Sequence, residues 1–257
     1  MQANEKTASI EVARVNHTFV GGVKAVSDAN LTIHGGEFVS VVGPSGCGKT
    51  TLLNLIAGLI DLQDGSIQVA HKPPKAGRHD VAYMLARDSL FPWRTALENV
   101  MLAGEFRGEI KATRRERAQD LLARVGLREF DKHYPKALSH GMRQRVALAR
   151  TFSMQSPVLL MDEPFGALDA QTKLQLEDVL LNLWDQEKRT VIFITHDLSE
   201  AVSMSDRVIV MSARPGRIVA DIRIPLERPR SVRALQKDPQ FHKIYSEVWA
   251  CLEQATN

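Results

Sequence analysis

The stretch Gly43-Pro44-Ser45-Gly46-Cys47-Gly48-Lys49-Thr50, followed by Thr51, constrains this chain more than any other part of its sequence. It stands between a short apolar run, Glu37 to Val42, and a segment, Lys49 to Leu59, of helix-forming composition with apolar residues at helical spacing. Strand, glycine-rich loop and helix in that order let backbone N–H groups wrap around phosphate oxygens while the positive end of the helix faces them. In such a loop Lys49 bridges to the terminal phosphates and the Thr50 hydroxyl can hold magnesium. Cys47 reads as a small filler rather than a nucleophile.

A second element supplies chemistry. Pro157 to Met161 is a buried-type strand that delivers Asp162 and Glu163 at its C-terminal end. Asp162 can hold a magnesium shell through water, and Glu163 can polarise an attacking water as a general base. His196 ends the next apolar strand, where it can touch a terminal phosphate. Together with the loop, these residues read as a nucleotide hydrolase.

The continuous apolar runs Val158 to Met161 and Val191 to Thr195 suit a parallel sheet covered on both faces. Ile10 to Ile33 alternates apolar and polar residues around Gly21-Gly22, as an antiparallel pair does. More than a hundred residues separate Lys49 from Asp162, far beyond one crossover, and Thr95 to Phe106, Lys111 to Val125 and Gly141 to Met154 carry helical periodicity. The expected fold is α/β: a P-loop NTPase core with a mixed sheet, an N-terminal antiparallel β subdomain and an inserted helical subdomain. In residue ranges, one domain spans 1–257, with 1–87 and 156–222 as core, 88–155 as helical subdomain and 223–257 as a C-terminal extension. Arg207 to Met211 and Arg217 to Ile224 read as strands around an Arg-Pro-Gly turn. A basic segment, Arg223 to Lys237, precedes a final amphipathic helix with Phe241, Ile244, Tyr245, Val248 and Leu252 on one face. Arg114, Arg115 and Arg117 read as the solvated face of a helix rather than as a site for an anionic partner.

Composition excludes several classes. At 44% hydrophobic and 25% charged, the 257-residue chain is neither disordered nor fibrous, and a net charge of +3 gives no ground for a nucleic-acid partner. Cys47 and Cys251 lie far apart, and Met1 to Thr7 lacks a secretory core, so reduced thiols in a cytosolic compartment are expected. No run approaches the roughly 18 apolar residues of a membrane-spanning helix, so a membrane role passes through a partner.

Leu138-Ser139-His140-Gly141-Met142-Arg143-Gln144-Arg145 resembles the LSGGQ signature of ATP-binding cassette (ABC) proteins and precedes the aspartate strand as it does there. Asp162 to Asp169 resembles that family's Walker B and D-loop, and Ile194-Thr195-His196-Asp197 its switch histidine. The resemblance covers Ile10 to Ile222. Leu90-Phe91-Pro92-Trp93-Arg94-Thr95 and Arg207 to Arg217 are most similar to the ATPase subunits of nitrate, sulfonate and taurine-type importers.

The resemblance implies ATP and Mg2+ as cofactors, with Thr50 and Asp162 as metal residues and Glu163, His196 and Lys49 as catalytic ones. It implies a head-to-tail dimer with a second ABC ATPase subunit. Each ATP then lies between one chain's residues 43–51 and the other's Ser139, His140 and Gly141. Phe19 takes the position that stacks on adenine, with core packing as the alternative, and Asp169 falls at the dimer seam. Further implied partners are transmembrane permease subunits and, indirectly, an extracytoplasmic substrate-binding protein. Phe91, Pro92 and Trp93 either meet the permease or are buried in their own subdomain. The chain would sit peripherally on the cytoplasmic face of the inner membrane. It would hydrolyse ATP to power import of nitrate, sulfonate, taurine or a similar small anion; the alternative is a degenerate regulatory subunit of a heterodimer.

Two residues depart from the pattern. Ala86 stands where the family carries a glutamine at the lobe hinge, and no glutamine occurs between Gln68 and Gln119, so water or Asp88 would have to fill that metal position. His140 replaces the first signature glycine, where its imidazole either crowds a phosphate or donates to it. In a homodimer both composite sites carry both changes; in a heterodimer they separate.

Overall fold

The computed structural model describes residues 8–166 and 168–256; Met1 to Thr7, Ala167 and Asn257 lie outside the described residues. In chain order the elements are β1 (Ala8–Phe19), β2 (Val23–His34), β3 (Phe38–Val42), α1 (Lys49–Ala57), β4 (Asp64–Val69), β5 (Val81–Met84), α2 (Ala96–Phe106), α3 (Lys111–Arg124), α4 (His140–Ser153), β6 (Val158–Asp162), α5 (Ala170–Glu187), β7 (Thr190–Ile194), α6 (Leu198–Met204), β8 (Arg207–Met211), β9 (Ile218–Arg223), α7 (Val232–Leu235) and α8 (Pro239–Thr256).

The apolar strands β3, β6 and β7 cannot face water on either side, and they occupy the middle of a six-stranded sheet ordered β5-β6-β7-β3-β8-β9. β5 through β8 in that order run parallel, with Val41 opposite Ile194 and Asp162 also opposite Ile194, one strand to each side of β7's partner positions. The edge strand β9 runs antiparallel to β8, which makes the sheet mixed. The alternating N-terminal segment forms a separate antiparallel sheet, β2-β1-β4, with Val12 opposite Leu31 and Ile10 opposite Val69.

Three apolar cores hold these layers. Leu52, Leu53 and Ile56 of α1 pack between the two sheets against Val41, Ile194 and Ile10. On the other face, Val100, Leu122, Val146 and Phe152 of the helical layer join Phe38, Met161, Phe193 and Trp184 in one continuous cluster. Each such side chain, fully buried, contributes about 1.5–3 kcal/mol. Phe241, Ile244 and Val248 of α8 close the third core against Val208 and Val210 of β8, so the last helix packs through its apolar face, with Tyr245 and Leu252 partly buried beside it. Among the described residues no helix is long and apolar enough to cross a membrane.

Several elements differ from the sequence reading. β4 opens on polar Asp64-Gly65-Ser66 and turns only Ile67 and Val69 into the core, and β5 is four residues long, so neither carries a readable pattern. α5 does carry one, with Leu176, Leu180, Leu181 and Trp184 buried behind an Asp169 cap. The basic stretches are not free faces. Arg117 donates to Glu109 at 2.7 Å and Arg114 lies 3.8 Å from Glu105, which leaves Arg115 as the exposed member of that trio. Arg228 donates to Asp206 at 2.8 Å, and buried Arg230 donates to the carbonyls of Ser205 and Leu226, both at 2.7 Å. These arginines close loop ends that would otherwise leave carbonyls unpaired.

Glu177, 2% exposed on α5, is an unusual acid for this interior. Burial, with the charges of Glu200 and Asp197 nearby, pushes its carboxyl from 4.5 up to about 8, Lys173 opposing the shift. The folded chain thus keeps a proton that the unfolded chain releases above its own lower pKa, so stability falls as pH rises through that interval. Glu177→Gln is expected to stabilise the fold at pH 8 by on the order of 1–3 kcal/mol and to change little near pH 5. Denaturant titrations at the two pH values check this.

Candidate functional site

The loop between β3 and α1 is shaped by glycine geometry. Gly48 sits at φ 106, and a Cβ there would lie 2.5 Å from the Ala25 carbonyl oxygen of the antiparallel sheet. It is also the N-cap of α1 and brings no side chain to cover the first N–H groups of the helix. Those donors remain available to an anion, and the helix dipole adds its positive end. Cys47 is buried beneath the loop as a filler. Lys49 is buried as well, and its Nζ donates to the Gly43 carbonyl at 2.9 Å and the Pro44 carbonyl at 3.0 Å. A phosphate at the loop competes with two neutral carbonyls for that ammonium.

The loop opens into a cavity of about 300 Å3, lined by Ser45, Gly46, Gly48, Lys49, Thr50, Thr51, Glu163 and His196, together with Phe19, Val23, Ala25 and Arg214. Phe19 is 43% exposed and rests edge-on against His17, so its ring is not core packing. Asp162 ends β6, and the Thr50 hydroxyl donates to its Oδ1 at 3.2 Å. Burial raises the Asp162 carboxyl above its usual range, the Thr50 hydrogen bond opposes this, and the neighbouring charge of Glu163 adds to the rise. A hydroxyl and a carboxylate are hard oxygen donors, and Mg2+ completes its shell with phosphate oxygens and water, so this pair fits that ion. Glu163 is held at φ 47, and its N–H donates to the Ile194 carbonyl at 3.0 Å. Its Oε1 lies 2.6 Å from His196 Nε2.

Ser139 caps α4, its hydroxyl accepting from the Met142 N–H at 3.2 Å, and the helix begins at His140, one residue before the sequence reading placed it. His140 Nδ1 lies 3.2 Å from Arg143 Nη2. A guanidinium can only donate, so Nδ1 accepts and the imidazole proton stays on Nε2, which is shielded from water and has no partner among the described residues. Ser139, His140 and Gly141 line a second cavity of about 500 Å3 with Leu168, Asp169 and Thr172. Asp169 caps α5 by accepting from the Thr172 N–H at 3.0 Å, and hydrogen bonds from Thr172 hold its carboxyl below the usual range. One chain thus carries two separate cavities, one at the phosphate loop with its carboxylates and one at a capped helix tip.

The family model for the ABC transporter matches residues 26–166, from β2 through the loop, helical layer and carboxylates. The chain belongs to the ABC transporter family. A putative ATP-binding protein of Brucella abortus is 46% identical over 89% of this chain and 88% of its own length. The taurine import ATP-binding protein TauB of Escherichia coli is 42% identical over 89% of this chain and 92% of its own. A bacterial ABC transporter cassette solved as a dimer superposes with a TM-score of 0.75 at 32% identity, covering 85% of this chain and all of that one. A dimeric cassette in a post-hydrolysis state with ADP and Pi gives 0.74 at 31% identity over the same shares. The chain is an ABC ATPase.

At the hinge of this ABC ATPase, the Ala86 carbonyl accepts from Gln144 Nε2 at 3.1 Å. Asp88 does not stand free to replace the missing glutamine: its carboxylate accepts from Arg143 Nε at 2.8 Å. Arg150 donates to the Asp88 and Ser89 carbonyls, both at 2.8 Å, so α4 holds the hinge segment with three side chains. Just beyond, Trp93 is 69% exposed and the half-buried Phe91 ring lies tilted against it at 5.2 Å, so burial accounts for Phe91 in part and not for Trp93. The strap that carries them is fixed by Asn99, fully buried, which accepts from the Phe91 N–H at 2.8 Å and donates to the Phe91, Arg94 and Thr95 carbonyls. Arg214, Gln144 and Asn99 escaped the sequence reading; each is a lone polar residue whose meaning depends on a distant carbonyl.

Gly48→Ala places a methyl against a backbone oxygen and strains φ, which costs on the order of 1–3 kcal/mol or displaces the loop. ATP binding should weaken about tenfold or more while the far-ultraviolet circular dichroism of the chain stays unchanged; equilibrium titration with a fluorescent ATP analogue checks this.

Proposed function

We propose that this ABC ATPase energises an importer of a small anion of the nitrate, sulfonate or taurine class, with Glu163 as the general base of ATP hydrolysis. The observation that carries the reading is the 2.6 Å contact between Glu163 Oε1 and His196 Nε2 in the lining of the phosphate-loop cavity. A base and its orienting partner kept in register are what hydrolysis needs and what a subunit that merely binds nucleotide does not. The anion class rests on the taurine import relative, similar over nearly the whole chain.

In this reading ATP lies in the cavity with adenine against Phe19 and its phosphates on the backbone N–H groups of residues 43–51 other than Pro44. Lys49 exchanges its two carbonyl partners for the terminal phosphates. Thr50 and Asp162 hold Mg2+, which supplies neutralising charge to the phosphate oxygens. The capped helix tip of a second ABC ATPase subunit closes the cavity, presenting Ser139, His140 and Gly141 to the γ-phosphate, with Asp169 at the seam. Glu163 takes a proton from the attacking water, and His196 holds Glu163 and the γ-phosphate in line.

Residues 88–155 form the unit that moves on the 1–87 and 156–222 core, with 223–257 as an extension. Exposed Pro92 and Trp93, with half-buried Phe91, meet transmembrane permease subunits, and an extracytoplasmic binding protein delivers the anion on the far side. The chain is then peripheral on the cytoplasmic membrane face. Ala86 favours a second possibility, a heterodimer in which an intact partner carries the faster site.

Glu163→Gln should retain ATP binding, accumulate the ATP-bound dimer on size exclusion and lose about 100-fold or more of turnover. Intact turnover in that variant overturns the assignment. Brisk hydrolysis by the unaltered chain alone, unchanged in His140→Gly, counts against the heterodimer; slow hydrolysis that a copurifying second subunit accelerates supports it.

A further inference from the structure

The turn between β8 and β9, Ser212 to Arg217, reaches across to the phosphate loop. Gly216 fixes its approach: a Cβ there would fall 2.0 Å from the Cys47 carbonyl oxygen, so no other residue allows this contact. The Gly216 N–H donates to the Ala25 carbonyl at 3.0 Å, and the Ser27 N–H donates to the Gly216 carbonyl at 2.9 Å, tying the turn to β2. At its other side the Ala213 N–H donates to the Ala255 carbonyl at 2.9 Å, near the end of α8. The turn is braced from within as well, since Ser212 Oγ accepts from the Arg217 N–H at 3.1 Å.

What this braced turn presents is Arg214. Its Nε and Nη2 donate to the Gly46 carbonyl at 3.3 and 3.2 Å, and the side chain lines the same cavity as Ser45, Gly46 and Lys49. A guanidinium has five N–H donors, and two of them account for this contact. Neighbouring arginines neutralise their charge on carboxylates, Arg207 on Glu37 and Asp221, Arg228 on Asp206. Among the described residues no carboxylate lies within ion-pair distance of Arg214. An unneutralised fork of donors, positioned by three backbone ties beside a loop made for polyanions, matches phosphate chemistry.

We propose that Arg214 binds the phosphate chain of the nucleotide, as a contact supplied by the β8–β9 turn in addition to the phosphate loop. This rests on the reading of the cavity as the ATP site. Gly46 serves as the anchor that aims the fork, and α8 holds the turn from behind. The contact places a second full cation beside Lys49 in the lining of the cavity.

The test is equilibrium binding of ATP, ADP and adenosine to the full chain, without permease and without turnover. Arg214→Gln should weaken ATP and ADP by about tenfold or more, the loss of a charge-assisted contact, and leave adenosine unchanged. Arg214→Lys keeps the charge without the fork and should recover part of that loss. Lys and Gln variants equally weak, ATP and adenosine falling together, or ATP affinity untouched in Arg214→Gln would each overturn the proposal. The lysine variant provides the comparison if the glutamine variant fails to fold. Failure of either variant to discriminate leaves the loop and Glu163 assignments standing, whereas an unaltered chain that binds no ATP overturns both readings.

Discussion

The constraint on which the molecule depends is that the N-terminus of α1 must be left uncapped at the end of a buried strand. Bare helix N–H groups are a cost anywhere else in a fold. Here they are tolerated because Gly48 fits under the Ala25 carbonyl, and because α1 is clamped between two sheets by Leu52, Leu53 and Ile56. The antiparallel sheet is therefore part of the phosphate site. It supplies the roof under which the loop can turn, the Ala25 carbonyl that also receives Gly216, and Phe19 in the lining of the cavity.

The carboxylates obey a related constraint. β6 and β7 are parallel neighbours, so their C-terminal ends arrive on the same edge of the sheet. That registry brings Glu163 and His196, more than thirty residues apart in sequence, within hydrogen-bonding distance. It also sets Asp162 against Thr50 from the first helix. The loop, the carboxylates and His196 come together where three strand ends meet, and Ser139 and His140 at the start of α4 line a cavity of their own. The phosphate loop and the serine-capped helix tip therefore belong to separate cavities of one chain.

Much of this was legible in the sequence. The loop pattern, the apolar runs of β3, β6 and β7, and the periodicity of α2, α3 and α4 are local signals, and each was realised within a residue or two. β4 and β5 were not legible because their pairing with β1 and β6 supplies the order that their short, partly polar sequences lack. The arginines were misread for a similar reason: Arg114 and Arg117 look solvated in a periodic helix, yet Glu105 and Glu109 come from the helix before and the turn between. Of the site residues, those that act through their own backbone or through a neighbour could be read. Those that act through remote carbonyls, such as Gln144 on Ala86 and Arg214 on Gly46, could not.

Asn99 gives the exposed aromatic strap a mechanical character. With four hydrogen bonds to the backbone of residues 91–95 from a fully buried side chain, the strap has no slack of its own. Nor does the joint behind it, where α4 grips residues 86–89. Trp93 therefore stands as the tip of a stiff stylus, mounted on a short stretch of backbone whose other end is gripped by the helix that Ser139 caps.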